Sequence, residues 1–501
     1  MKKCVLFILL VCLSVSLAAE RKLISSQPVE YEEVHLYNDP HCSKGTITYE
    51  QLKEDLNNLV YLFETAYIDY DSMVAKGFDG KKLITDILSE YNNQSQIDTK
   101  KVYLALIQEL VPYIHDSHCV LVFFRESESF CKKNKFFYTN TFVEKTKKGW
   151  VVYESDNSNI AKGMKFTGNE ENLVYYPVKG KNIYRAGVFA VEKPETFSLN
   201  INNKEYPVET YDDGAIEIRP LKYHEIETKN TGYVCLSSFM LPDEKSPLRK
   251  TVFEKYSTLG LKWGKKKNII IDLRSNGGGE IKYSSYLLSP LYFNAITDMD
   301  VPARTTIDSW VDNVLEKKIF IESPATVSLI LQTARMINLT DMVEEYTSTF
   351  EFSKTYPAKK LYRNVPAAAD DDMTKNKRIP FKGKIILLTD RNTASAAEQT
   401  VALAQTLFGP TKQVFVIGEN TRGCITFGDV HFAVLPDSGI CINLASAKEN
   451  NIEDYPSWHG EGSGFYPDYW TNGEDLNDTI FMVTKDREMK KKLDGIDKAL
   501  K

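Results

Sequence analysis

The stretch KIILLTDRNTASAAEQTVALAQ, Lys384 to Gln405, sets a lone serine, Ser395, among alanines. Its hydroxyl has two possible uses. As a helix N-cap it accepts from free backbone N–H groups. As a nucleophile it needs a base in hydrogen-bond reach, a group that orients the base, and donors for an oxyanion. Of the seven histidines, His118 in IHDSHCVLVFF is the most suggestive base. His115, His431 and His459 compete with it, spacing alone does not separate them, and each has a structural or surface role as its ordinary alternative. The stretch DLRSNGGGE, Asp272 to Glu280, adds three consecutive glycines. Backbone N–H groups without side-chain obstruction can face a cleft there, which suits an oxyanion hole or an anion nest. No Gly-Lys-Ser or Gly-Lys-Thr follows, so this is no phosphate-binding P-loop, and Ser395 does not sit in G-x-S-x-G.

The elements that must position these residues have their own patterns. Ile385 to Leu388 is apolar without alternation, as in a strand buried on both faces, while Ala397, Val401, Ala404 and Phe408 recur at helical spacing. Ser395 is therefore expected at a helix N-terminus, where the helix dipole and free N–H groups favour a negative oxygen. NIIIDLRSNGGGE has the same strand-into-turn form, and both belong to an α/β section opened by TGYVCLSSF. Upstream, Leu52, Leu56, Leu59, Val60 and Phe63 form one helical stripe and Val102, Leu104, Ile107 and Leu110 another. Short alternating runs, GWVVYESD, FSLNINN and KEYPVETY, then read as strands. The expected organisation is an α/β fold with an N-terminal helical cap domain at 45–118 and a β-rich middle domain at 119–225. An α/β domain follows at 226–480, with an insertion at 298–378, and then a tail at 481–501. PAAADDDMTKNKRIP within the insertion is polar enough for a mobile loop.

The opening MKKCVLFILLVCLSVSLAAE has Lys2 and Lys3, an apolar core and small residues to Ala19, the pattern of a secretory signal over 1–19. Its apolar core is short for a membrane span, so an exported, soluble chain without an integral membrane segment is expected. The formal charge of −6 becomes two units more negative without Lys2 and Lys3, and no nucleic-acid surface is indicated. Six cysteines remain after the leader: Cys42, Cys119, Cys131, Cys235, Cys424 and Cys441. Export permits disulfides, with Cys119–Cys131 and Cys424–Cys441 the expected near-neighbour pairs, and the lack of C-x-x-C argues against structural zinc. Asn93, Asn338 and Asn477 head glycosylation sequons.

In order along the chain stand a helical region ending in Ser-His, a β-module, GYVCLSSF, IIIDLRSNGGG, LLTDRNTASAAE, IGENTRGCITFG and GEGSGFYPD. This order resembles the C-terminal processing peptidase and tricorn family of serine peptidases. The resemblance implies a crotonase/ClpP-like core, a PDZ-like middle domain, and Ser395 as nucleophile toward a peptide or protein substrate, with no metal or organic cofactor. The processing-peptidase branch takes its base from a lysine after Gly-Glu-x-Thr-x-Gly. Here Gly418-Glu419-Asn420-Thr421-Arg422-Gly423 is followed by Cys424, and Gly428 stands where that branch has a glutamine. The tricorn-like branch instead uses a histidine preceded by serine, which Ser117-His118 matches, with a glutamate near the C-terminus to orient it. Glu461 is preferred to Glu453 for that part. The backbone N–H groups of Gly278 and Ala396 are the implied oxyanion hole, and Cys424 is expected to be structural. The family also resembles the interphotoreceptor retinoid-binding proteins, so the alternative is an inactive chain that carries hydrophobic ligands or scaffolds peptides.

Overall fold

Two unbroken aliphatic runs, Asn268–Asp272 and Lys384–Thr389, pair in parallel at the centre of a six-stranded sheet. The sheet comprises β1 (His224–Glu227), β2 (Thr231–Cys235), β3 (Asn268–Asp272), β4 (Lys384–Thr389), β5 (Val414–Gly418) and β6 (Tyr469–Trp470), lying side by side in chain order. Only β1 is antiparallel to its neighbour. The computed structural model describes residues 22–27, 45–212, 224–239, 255–292, 318–336, 359–363, 381–409, 412–449 and 452–500, apart from single positions at 93, 125, 257, 281 and 472.

Alternate residues of β3 and β4 bury on opposite faces, which explains their lack of polar alternation. Ile269, Ile271, Ile385 and Leu387 pack with Val401, Ala404 and Phe408 of the helix Ala396–Phe408. On the other face Ile270, Ile386 and Leu388 meet Leu476, Ile480 and Val483, and then Met489 and Leu493. The expected tail at 481–501 is thus corrected: Leu476–Thr484 and Arg487–Leu500 are helices, and an i, i+4 pair in the latter, Met489 and Leu493, closes the sheet. The amide of the sequon residue Asn477 donates to Asp494 and Asp497, tying the two helices together.

The helices Tyr49–Ala66, Gly80–Glu90 and Thr99–Leu110 start at Thr48, Asp79 and Asp98, whose side chains accept from first-turn N–H groups. Their apolar stripe joins Ala433, Leu435, Ile440, Ile442 and Leu444 in one core. Val120–Phe123, expected to open the middle domain, instead pairs antiparallel with Cys441–Glu449 in a second sheet. The middle region is a separate antiparallel sheet of four strands, Lys135–Thr146, Gly149–Glu154, Leu173–Tyr175 and Ile183–Ala190. It meets β6 through Phe136 and Phe189, each 5.7 Å from the Trp470 ring. The expected leader and the polar loop at 366–380 lie outside the described residues. No described helix is long and apolar enough to cross a membrane.

The disulfide expectation also needs correction. Cys119, Cys131, Cys235, Cys424 and Cys441 are all free thiols, and Cys42 lies outside the described residues. Across its hairpin Cys119 accepts from Phe130 N–H, so the neighbouring Cys131 is out of register with it. Cys441 pairs with Val122 and Val434 in its sheet, while Cys424 is held in a loop by Glu398.

Candidate active site

Parallel pairing brings the C-terminal ends of β3, β4 and β5 to one edge, and the chain leaves there in three loops. The carboxylate of Asp390, just after β4, accepts N–H bonds from Ser275 in the glycine loop and from Asn392 and Thr393 in its own turn, all at 2.9–3.0 Å. Ala394 N–H then donates to the Asn276 carbonyl at 2.9 Å. Clamped on both sides, the chain enters Ser395 with φ 53° and ψ −124°. A side chain at positive φ costs about 1–3 kcal/mol and persists only where its surroundings impose it. Gly278, itself at φ 97°, allows the approach, because a Cβ there would sit 2.6 Å from that of Ser395.

Ser395 does occupy the N-cap position, with Glu398 at N3 in a capping box. Its hydroxyl also lies 3.2 Å from His118 Nε2, a contact spanning 277 residues. His118 stands between the helix Thr99–Leu110 and the strand Val120–Phe123, and its N–H donates to Asp116 Oδ1 at 2.7 Å. Burial, and then the positive charge of Arg422, lowers the imidazole pKa to about 4, while the Phe427 carbonyl acts the other way. The ring is therefore neutral at ordinary pH, the state a general base requires.

Glu461 is in the site but one residue removed from the imidazole. It accepts from Ser117 N–H at 3.1 Å and from Thr426 N–H at 2.8 Å, fixing the residues next to His118 and Phe427. The carboxylate beside the ring is that of Asp116, fully buried, with Oδ1 3.9 Å from Nδ1. Glu453 is exposed and outside the site. Of the competing histidines, His431 bonds to Ser446, His459 stacks on Tyr466, and His115 is exposed. One expected oxyanion donor is corrected: Gly278 N–H is taken by Asn276 Oδ1 at 2.9 Å. Ala396 N–H, at the helix start, has no acceptor among the described residues.

Four neighbours escaped sequence reasoning. Glu398, fully buried, accepts from Ser395 N–H, Thr421 Oγ1, Gly423 N–H and Cys424 N–H. The Ser-x-x-Glu spacing of a capping box was its available signal. Asp116, two residues before His118, had none beyond proximity. Lys133 donates to Asn392 Oδ1 at 2.9 Å, and burial beside Arg422 and Arg391 lowers its pKa to about 8. Arg422 holds the Thr393 carbonyl through its backbone N–H at 2.9 Å. Cys424 is buried, and that burial raises its thiol pKa well above the usual range, unlike a nucleophilic thiolate.

A serine at a strained strand-to-helix turn, touching a neutral imidazole at the carboxyl edge of a parallel sheet, defines the chemistry of a serine hydrolase. Residues 230–469, which supply nearly all of that sheet, match Peptidase family S41, and that match supports a serine-type peptidase. Among solved structures, mature CPAF is similar at 14% identity and a TM-score of 0.41, covering 85% of this chain and 94% of that one. A putative peptidase from Parabacteroides merdae gives 14% and 0.37, covering 86% and 93%. The tricorn protease gives 12% and 0.32, covering 90% of this chain and 37% of its own. No curated protein sequence matches.

Proposed function

We propose that this peptidase is exported and cleaves peptide bonds through an acyl-enzyme on Ser395, with His118 as general base. The observation that carries this reading is the 3.2 Å contact between His118 Nε2 and Ser395 Oγ. As Oγ attacks the peptide carbonyl its proton passes to Nε2, which returns it to the leaving amine. Water then attacks the acyl carbon with the same base, regenerating Ser395. Glu461 acts through the backbone of Ser117 and Thr426, and Asp116 holds the N–H of His118 and faces the charge that forms on the ring. Ala396 N–H, reinforced by the helix N-terminus, receives the oxyanion. Cys424 at the lysine position of the processing branch supports the histidine-base assignment, and the leader-like residues 1–19 support export. The middle sheet, between the helical region and the peptidase unit, is read as a PDZ-like peptide-binding module.

The test is labelling of the chain with a fluorophosphonate, together with cleavage of a denatured protein substrate. Ser395→Ala should abolish both and remain folded, whereas a simple cap would lose only about 1 kcal/mol of stability. His118→Ala should slow turnover by about 10²–10⁴-fold. Unchanged turnover in either folded variant rejects the assignment, and an unlabelled, inactive wild type leaves the carrier reading.

A further inference from the structure

The amino-terminal ends of β2, β3, β4 and β5 lie together at the edge of the sheet opposite the Ser395 turn. Every loop that enters this edge carries exposed cations. Lys229 precedes β2, Lys265 and Lys267 precede β3, Lys382 precedes β4 and Lys412 precedes β5. Backbone bonds hold the loops against one another. The Asn230 carbonyl accepts from Lys267 N–H at 2.9 Å, the Lys267 carbonyl from Lys384 N–H at 2.8 Å, and the Gln413 carbonyl from Ile385 N–H at 2.8 Å. The turn between the two C-terminal helices brings Lys485 and Arg487 to the same edge, because Asp486 accepts from the hydroxyls of Thr228 and Thr231 while Asn268 donates to the Thr484 carbonyl.

The carboxylates of these loops do not offset the charge. Glu227 pairs with Lys262 and Lys266, Asp486 is buried on the two threonines, and Glu488 is reached by Lys492. Among the described residues, none of the cations that enter the edge forms an ion pair. Adjoining strands are about 4.8 Å apart, less than the screening length of about 8 Å in physiological salt, so charges on neighbouring loops reinforce one field. On a chain of formal charge −6 this gathers the opposite sign on one face, which selects an anionic partner.

We propose that this edge docks the chain peripherally on an anionic lipid bilayer, with the Ser395 edge turned away from the membrane. Lysine supplies all of these cations except Arg487, and lysine is a hydrated point charge without the arginine fork that reads bases and phosphates. Beside Lys384 opens a cavity of about 340 Å³ lined by Lys181, Tyr175, Phe415, Tyr469 and Met482. Phe415 and Tyr469 stack on each other, with centroids 6.0 Å apart and planes at 9°, and Lys384 Nζ lies 5.6 Å from the Phe415 centroid. Those ring faces are taken, which leaves little for a nucleobase to stack on. Tyrosines and apolar side chains beside lysines instead suit the headgroup region of a bilayer. Leu261, 44% exposed and four residues before Lys265, adds an apolar contact near the edge. The five residues of β3, at about 3.3 Å each, hold the two edges roughly 17 Å apart, so docking leaves the cleft open. Docking of this kind does not depend on Ser395 being a nucleophile.

The experiment is co-sedimentation of the full-length chain with vesicles of phosphatidylcholine alone and of equal parts phosphatidylcholine and phosphatidylserine. Wild type should bind the mixed vesicles more tightly than the neutral ones and lose that difference as salt is raised. One lysine near an anionic surface contributes roughly a fivefold gain in partitioning, so Lys265→Gln/Lys267→Gln/Lys485→Gln should weaken binding to mixed vesicles by about a hundredfold. A control with the same loss of charge, Lys101→Gln/Lys147→Gln/Lys148→Gln at exposed positions of the helical region and the middle sheet, should bind like wild type. Urea midpoints near that of wild type identify folded variants. The apolar residues at the start of the chain are common to all three proteins and cancel in the comparison. Equal binding by the two triple variants overturns the docking surface, as does a wild type that does not distinguish the two kinds of vesicle. Tighter binding of a single-stranded oligonucleotide than of mixed vesicles, lost in the same edge variant, would replace the lipid with a nucleic acid and overturn it too.

Discussion

At the scale of single residues, the base is set by its surroundings more than by its type. An unperturbed histidine titrates near ~6.5, which would place the acid limb of kcat/KM there. His118 is mostly withdrawn from water, with 15% of its side chain exposed, and feels the charge of Arg422; desolvation and then that charge disfavour its charged form, lowering its pKa to about 4. Since the base must be neutral, activity should already be on its plateau at pH 6 and fall only as the pH approaches about 4. A kcat/KM profile over that range checks this, and a limb near neutrality would mean that the ring is solvated and away from Arg422. The same shift has a stability sign. Between about 4 and ~6.5 the unfolded chain binds this proton and the folded one does not, so the contribution of His118 to stability weakens as pH falls through that window.

At the scale of elements, the loop 421–424 and the helix carrying Ser395 are joined through one side chain. Glu398 takes two donors on each oxygen, so alanine would strand buried N–H groups of Ser395, Gly423 and Cys424. Glutamine would turn an amide NH₂ toward at least one of those N–H groups. Glu398→Gln should cost about 2–3 kcal/mol in urea unfolding and slow labelling of Ser395, and Glu398→Ala more. Burial raises the Glu398 pKa to about 7, so the folded state holds its proton more tightly than the unfolded chain. That contribution is complete below ~4.5 and is lost as pH rises through about 7, so the advantage of wild type over Glu398→Gln should narrow across this range. A constant difference would show that Glu398 titrates normally. The strand, turn and helix around Ser395 were legible in the sequence because they depend on local spacing. Three of the four partners of Glu398, in Thr421, Gly423 and Cys424, lie 23–26 residues away, and the capture of Gly278 N–H by the Asn276 side chain leaves no trace in composition or period.

At the scale of the whole molecule, the site depends on units that sequence order separates. Helices Tyr49–Ala66 and Thr99–Leu110 lie where the two stripes stand, although Leu104 of the second stripe is 46% exposed, and the region does not close a core of its own. Leu52, Leu56 and Phe63 share theirs with Ile442 and Leu444, and this packing holds the N-terminal unit that presents His118 against a chain end more than 300 residues away. The C-terminal segment was misread for a related reason. REMKKKLDGIDKAL is so polar that it resembles a tail, and only Met489 and Leu493 mark the face that docks. That small face covers Ile270, Ile386 and Leu388 of β3 and β4, the strands that launch the glycine loop and the Ser395 turn. Met489 is 0% exposed and Leu493 6%, so replacing either with alanine should cost about 2–5 kcal/mol. The measurement is the urea midpoint, which should fall at an unchanged slope, since a cavity changes stability without changing the surface exposed on unfolding. Loss of fluorophosphonate labelling should follow that shift, appearing at lower urea in Leu493→Ala than in wild type. A midpoint unmoved in both variants would mean that the helix does not rest on the sheet in solution, and the turn would then owe its strained geometry to Asp390 and Glu398 alone.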